Sequence, residues 1–397
     1  MKVSIFSDCH CGFAYGEERG EDSFIALNES IEKSMDSDLI LIAGDLFDSR
    51  VPRPEIFAKT ARILSKAQHI PTNTKLVDLV NKRKEDISPL ALRGVPIVSI
   101  HGTHERRTKY MVNPIQALEH AGLLIHLHCG TAVFDVNGEK VAVHGMSGVP
   151  ERYAGDVLSR WNPRPIEGAK NILMIHQSVD PYIYSPLDPP TIKLEDFPDG
   201  FDLYILGHIH WTEQKPLKSG TILVAGSTTY TSLHKHEMNA KKSIYKYDGS
   251  LLSIPLEKQR NIYWSEFDFS SDIVPMIESK LNSLPNIEPK PIAVFKIKGI
   301  VPKEMTMPNF SELENRYSGK AIVKITKKLK AEKLEEQIEL INKLREQKLS
   351  PEEQGLRILQ ENLKQVNCGL NVEEMFEMLV NGETENIYNL LIGKKSE

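Results

Sequence analysis

Residues 2–10 read Lys2-Val3-Ser4-Ile5-Phe6-Ser7-Asp8-Cys9-His10, a short apolar run that ends on a carboxylate and an imidazole. The same grammar returns four times. Leu39-Ile40-Leu41-Ile42 runs into Gly44-Asp45, and Pro96-Ile97-Val98-Ser99-Ile100 runs into Gly102-Thr103-His104-Glu105. Ile172-Leu173-Met174-Ile175 ends at His176, and Leu203-Tyr204-Ile205-Leu206 ends at Gly207-His208-Ile209-His210. Short runs of apolar and β-branched residues predict strands buried on both faces. In α/β sheets, ligands sit just beyond the carboxyl ends of the strands. Five such strands therefore deliver carboxylate and imidazole to one rim, and that rim predicts a dinuclear metal site.

The local spacing agrees. Asp8 and His10 lie at i and i+2, as do His208 and His210, and alternate side chains of extended backbone share a face. Carboxylate with imidazole suits Mn²⁺, Fe²⁺ or Zn²⁺, and no thiolate set competes. Two ions roughly 3.5–4 Å apart clamp a phosphate for in-line attack. Asp45, with two oxygens, is the natural bridge. One strand-end histidine alone is as readily a packed core residue; five motifs in this order are not.

Bulk composition narrows the setting. A chain of 397 residues has room for two or three domains with their own cores. Its 26% charged and 40% hydrophobic residues are ordinary for a soluble protein. A net charge of −5 gives no global pull toward nucleic acid, so any such contact must come from local patches. Four cysteines suggest no disulfide scaffold and fit a reducing compartment. The N-terminus enters a strand directly, without a leader pattern. No run approaches the roughly 20 apolar residues of a membrane span. The expectation is a cytoplasmic protein, nuclear in a nucleated cell, with no membrane partner.

Residues 1–235 alternate strand-like runs with helices, one over Glu21–Met35 and another from Pro54, which predicts an α/β layered domain. The long connection from His69 to Gly94 carries a short helical piece near Leu76–Lys84. Asn137-Gly138 signals a two-residue hairpin. A second hairpin, Lys242–Tyr247 with Leu251–Leu256, opens a small α+β domain over 240–328. Its further elements are a helix near Asp272–Leu284, a strand near Ile292–Ile297, a helix near Asn309–Tyr317 and a strand near Ala321–Ile325. Residues 329–397 read as helical, with Leu334, Ile338, Ile341 and Leu344 at helical spacing and Ser350-Pro351-x-Glu353 as a cap. From Leu349 onward there are four basic and nine acidic residues, which suits a protein partner better than DNA.

The motif order D-x-H, G-D, G-x-H-E, H, G-H-x-H resembles the calcineurin-like metallophosphoesterases. Within them it most resembles the DNA double-strand-break repair nucleases of the meiotic recombination eleven type and their bacterial SbcD relatives. The likeness rests on Ser7-Asp8-Cys9-His10-Cys11-Gly12, Gly44-Asp45-Leu46-Phe47-Asp48, Leu173-Met174-Ile175-His176-Gln177, Asp180-Pro181-Tyr182-Ile183, Gly207-His208-Ile209-His210 and Ala225-Gly226-Ser227-Thr228. It spans roughly residues 1–230. The resemblance implies a two-sheet metallophosphoesterase sandwich flanked by helices, with a small DNA-capping domain and a helical segment after Lys330 that binds an SMC-like ATPase. It implies two Mn²⁺ per chain, with Mg²⁺, Fe²⁺ or Zn²⁺ as alternatives. One ion falls to Asp8, His10, Asp45 and His210, the other to Asp45, His176, His208 and residue 103. His104 is implied as the catalytic residue beside the metals, protonating or positioning the leaving 3′ oxygen, a task that suits imidazole. The implied activity is 3′-to-5′ exonuclease and single-strand endonuclease, in a homodimer touching through Pro54–Lys66 and Pro114–His120.

Position 103 departs from the family, which usually supplies Asn. Thr103 offers only a hydroxyl, and three readings stay open: it ligates directly, a water fills the gap, or the second ion binds weakly. Weaker second-site affinity with activity retained is the reading preferred. His101 is an alternative ligand, although its strand position favours packing. Asp48 stands where relatives carry His or Asn and reads as an outer or surface residue.

Basic clusters complete the pattern. Arg50 and Arg53 follow the second motif, and Arg106, Arg107 and Lys109 follow the third. Charge runs are commonly solvated faces. Two of these follow metal motifs directly, which favours sequence-neutral contact with the phosphates of double- and single-stranded DNA ends. The rival readings are a small-substrate phosphatase or cyclic-nucleotide phosphodiesterase, an end-binding scaffold with a feeble nuclease, and an adaptor subunit for the ATPase.

Overall fold

The structure, a computed structural model, describes residues 1–108, 110–184, 190–233, 235–238, 241–302, 307–331, 355–357, 359–360, 371–380 and 387. It divides into two compact units, Met1–Arg260 and Asn261–Glu397. The first holds thirteen strands among its described residues. In chain order they are β1 (Val3–Phe6), β2 (Leu39–Ile42), β3 (Lys75–Val80), β4 (Ile97–Ser99), β5 (Ile125–His126), β6 (Gly130–Val136) and β7 (Glu139–Met146). There follow β8 (Ala169–His176), β9 (Leu203–Gly207), β10 (Glu213–Leu217), β11 (Gly220–Val224), β12 (Ser243–Tyr247) and β13 (Leu251–Pro255). They form a six-stranded sheet, β13-β12-β1-β2-β4-β5, and a seven-stranded sheet, β10-β11-β9-β8-β7-β6-β3. The strands that carry the motifs pair in parallel: β1 with β2, β2 with β4, and β8 with β9.

Side-chain alternation explains why these strands read as unbroken apolar runs. Val3, Ile5, Leu39, Leu41, Ile172 and Met174 enter one core between the sheets. Their neighbours Phe6, Ile40 and Ile42 face outward into a second core with Phe24, Leu27 and Ile31 of helix α1 (Asp22–Lys33). Helices α2 (Pro54–Leu64) and α3 (Pro114–His120) close the same core through Ile63 and Leu118. On the other sheet, Leu173 and Ile175 pack outward with Leu158 of α4 (Glu151–Trp161). The two-sheet sandwich flanked by helices is as the motifs implied. The Asn137-Gly138 turn has φ of 54° and 90°, as a two-residue hairpin requires.

Two expectations change. The segment near Leu76–Lys84 is not helical at its start: β3 pairs with β6 as the edge strand of the second sheet. A bulge between Leu76 and Asp78 shifts the register by one. Leu76 and Leu79 both pack on the core, and this three-residue spacing imitates a helical period. The Lys242–Leu256 hairpin joins the first unit rather than opening the second, because β12 pairs antiparallel with β1, Val3 opposite Tyr247.

In the second unit, β14 (Ile262–Asp268), α6 (Ile273–Ser283), β15 (Ile292–Val301), α7 (Phe310–Tyr317) and β16 (Ile322–Ala331) alternate, and the three strands pair in parallel. (Helix α5, Lys235–Met238, belongs to the first unit.) Ile273, Ile277, Phe295, Ile297 and Phe310 form its core. Of the segment 329–397, a strand end and the helix α8 (Val372–Val380) are described, with a few isolated helical residues. Lys109 and most of the chain after Ala331 lie outside the described residues. Among described residues, no helix is long and apolar enough to cross a membrane.

Candidate metal centre

The loops leaving β1, β2, β4, β8 and β9 meet at one place. Asp8, His10 and His210 form one group whose ligand atoms lie within 4.8 Å of each other; His10, Asp45 and His104 form a second, and Asp45, His176 and His208 a third. His10 and Asp45 are each shared by two groups. Both sheets contribute, and His208 N–H donates to Asp8 Oδ2 across the seam at 3.1 Å.

The imidazoles are tied from behind. His10 Nδ1 donates to Asp48 Oδ1 at 3.0 Å, His176 Nδ1 to the Ala43 carbonyl at 2.7 Å, and His210 Nδ1 lies 2.8 Å from Thr231 Oγ1. This outer bonding is how metal-ligating histidines are oriented, with the other nitrogen left to the ion. Nε2 of His10 and of His210 then face each other at 3.1 Å, and His176 Nε2 faces Asp45 Oδ2 at 3.1 Å. Asp8 Oδ1 is buried and accepts no hydrogen bond. Converging lone pairs and an orphaned carboxylate oxygen, buried except for the half-buried His210, fit divalent cations and fit little else.

Backbone strain gathers on the same residues. Asp8, His10, Asp45 and His208 have φ of 52°, 47°, 47° and 82°. Left-handed backbone at a non-glycine residue costs about 1–3 kcal/mol and persists where function needs it. Two glycines make room: a Cβ on Gly44 (φ 95°) would sit 2.3 Å from His176 Nδ1, and one on Gly102 would sit 2.2 Å from Asp45 Oδ1.

Electrostatics report a centre short of positive charge. Burial outweighs the pull of His176 and lifts Asp8 to about 6. Burial opposes protonation of His176, yet Asp45 and Asp8 raise it to about 9. Asp45 is buried too, but His176 and His10 hold it well below the carboxylate range. Burial, with His176 nearby, drops His208 to about 4. The proton on His176 thus stands where a cation's charge belongs. That sets a testable pH dependence. Folding holds this proton where the unfolded chain, with His near 6.5, releases it. The stability it contributes is complete below about 6.5 and lost as pH rises through about 9. Metal needs the neutral ring. The melting-temperature gain from Mn²⁺ over EDTA is therefore expected to grow between pH 6 and pH 9, and a gain independent of pH would contradict the assignment of His176.

The remaining residues named from sequence fall around this core. Thr103 Oγ1 donates to Asp45 Oδ2 at 3.2 Å, so its hydroxyl faces the shared carboxylate. His104 donates its backbone N–H to Asp45 Oδ1 at 2.9 Å, while its side chain is 46% exposed. Its Nδ1 donates to the Asp48 carbonyl at 3.2 Å. Asp48, read as an outer residue, holds His10 and borders His104 at 3.7 Å. His101 turns away to His126, 2.9 Å from Nδ1 to Nε2, and packs as its strand position suggested. Arg50 and Arg53 are exposed, and Arg106 and Arg107 half-buried. Arg107 reaches the Arg50 carbonyl, and Arg50 depresses Arg106 after burial does, so the second and third motif loops lie together.

Several supports lie outside the ligand set that the motifs named. Glu105 is fully buried and accepts from Phe47 N and Gly102 N, each at 2.8 Å, lashing one loop to the other. Tyr184, two residues past the Asp180-Pro181-Tyr182 motif, donates to the His208 carbonyl and accepts from His210 N, both at 2.9 Å. Lys242, buried, donates to the His210 carbonyl, Ser227 Oγ and Glu237 Oε1. These groups arrive from distant segments, and only the fold brings them together.

Comparison with known proteins agrees with this geometry. The DNA double-strand break repair protein Mre11 of Methanopyrus kandleri is 31% identical over 230 residues, covering 53% of this chain and 44% of that protein. The Mre11 protein of Methanococcus maripaludis is 26% identical over 63% of each. That of Sulfolobus acidocaldarius is 27% identical over 338 residues, 79% of this chain and 80% of its own length. The chain spans less than two thirds of the first two. The likeness to the break-repair nucleases read from the motifs is thus borne out. Residues 1–212 match the calcineurin-like phosphoesterase family, and the chain belongs to it.

Proposed function

We propose that this chain is a DNA phosphodiesterase of double-strand-break repair, cutting as a 3′-to-5′ exonuclease and a single-strand endonuclease. The observation that carries the reading is the set of three overlapping ligand groups sharing His10 and Asp45, beside loops bearing Arg50, Arg53, Arg106 and Arg107. Asp8, His10, Asp45 and His210 would hold one Mn²⁺, and Asp45, His176, His208 and Thr103 the other. Two such ions supply Lewis-acid polarisation of a phosphodiester. The arginines hold the flanking phosphates without reading bases. His104, with Nδ1 held by the Asp48 carbonyl and its side chain 46% exposed, passes a proton to the leaving 3′ oxygen. The relatives' break-repair names support DNA as substrate. In keeping with the family layout, the second unit caps DNA, α2 and α3 meet a second copy, and the segment after Lys330 docks an SMC-like ATPase.

Thr103→Asn is expected to tighten the weaker ion about tenfold, worth roughly 1.4 kcal/mol, because an amide carbonyl is a better neutral ligand than a hydroxyl. Calorimetric Mn²⁺ titration of both proteins checks this. The functional test is Mn²⁺-dependent release of nucleotides from end-labelled linear duplex and nicking of circular single strands, both stopped by EDTA. DNA binding without cutting would favour the scaffold reading. Hydrolysis of small phosphodiesters alone would favour the small-substrate enzyme.

A further inference from the structure

We propose that the loop carrying Tyr110, Met111 and Val112, with Val51 on the adjoining loop, is a stacking platform for nucleobases unpaired from a DNA end. The inference rests on the nuclease reading above and specifies its substrate as a strand opened close to the point of cutting. Four large apolar side chains stand in solvent here: Tyr110 is 92% exposed, Val51 66%, Met111 and Val112 54% each. Arg107 laces the two loops together, donating to the Arg50 carbonyl at 3.4 Å and to Met111 sulfur at 3.1 Å. Tyr110 also holds φ of 74°, which a bulky aromatic adopts only under constraint. Exposed apolar surface of this kind marks an interaction site.

The charges beside it choose the partner. Arg50 and Arg53 are exposed on the adjoining loop, Arg53 over the Tyr15 ring, and Arg106 and Arg107 stand half-buried beside them, which places a cluster of cations next to the apolar side chains. Aromatic faces interleaved with arginine are how sequence-neutral proteins hold single strands, bases on the rings and phosphates on the cations. Tyr110 is six residues from His104, hence within about 20 Å of it along the chain. A second copy fits less well, since a twofold contact would bring the same arginine patch against itself.

The test uses the full chain and DNA with 2-aminopurine at the penultimate position of a blunt duplex, in EDTA to prevent cutting. The wild type is expected to raise its fluorescence by unstacking the base, and Tyr110→Phe to keep that rise. Tyr110→Ala with Met111→Ser is expected to lose it and to bind single-stranded oligonucleotide about tenfold more weakly, at an unchanged melting temperature. An unchanged fluorescence rise in that double variant would overturn the platform while leaving the nuclease intact. So would a dimer-to-monomer change in sedimentation with DNA signals unaltered, which would assign the patch to a second copy. If the wild type neither binds nor cuts DNA with Mn²⁺, the nuclease reading itself fails, and the platform with it.

Discussion

Asp45→Asn should release both divalent ions and lower phosphodiester hydrolysis by at least about 10³-fold, since losing even an outer partner of a metal ligand costs roughly 10–100-fold. Asp45 is the one carboxylate in two of the three ligand groups. Its Oδ2 lies 3.1 Å from His176 Nε2 and 3.2 Å from Thr103 Oγ1, and its Oδ1 accepts from His104 N. An amide keeps the shape and one acceptor oxygen but removes the charge the ions share. Asn also tolerates the left-handed backbone at this position, so the fold is expected to survive. Metal analysis after dialysis, read beside turnover, checks the result. Retention of two ions per chain by Asp45→Asn would show that the centre does not depend on this bridge.

His104→Ala is expected to lower turnover about 10²–10⁴-fold, the range of general acid–base catalysis, with metal content unchanged. Its ring packs edge-on against His10, 4.8 Å between centroids, yet it is exposed where His10 is buried. Its Nδ1 is committed to the Asp48 carbonyl, so the nitrogen left over can act on a substrate. Loss of an ion in His104→Ala would make it a ligand, as its place in the group with His10 and Asp45 permits. Unchanged turnover would remove it from the chemistry.

How much of this was legible follows from the reach of each signal. Buried parallel strands announce themselves as apolar runs, and their carboxyl ends are where ligands collect. Asp8, His10, Asp45, His176, His208 and His210 could therefore be named before any coordinates. β3 could not, because its bulge turned a two-residue period into a three-residue one. The β12–β13 hairpin was plain as a hairpin, but nothing local said that Val3 would be its neighbour across 244 positions, from Tyr247. The reach of Glu105 to Phe47 N, the Tyr184 bridge and the bond from Lys242 to the His210 carbonyl join segments distant in sequence, invisible to any local window along the chain. Asp48 reads from sequence as an outer or surface residue, and it does stand behind a ligand; which ligand is set by the loop geometry, because its partner His10 lies 38 residues away.

The central claim is that one chain holds two ions on a shared carboxylate. Electron paramagnetic resonance during titration of the metal-free protein with Mn²⁺ addresses it directly. Two ions per chain with the spectrum of an exchange-coupled pair is the predicted result, collapsing in Asp45→Asn. Saturation at a single ion, with the six-line spectrum of isolated Mn²⁺, would contradict it.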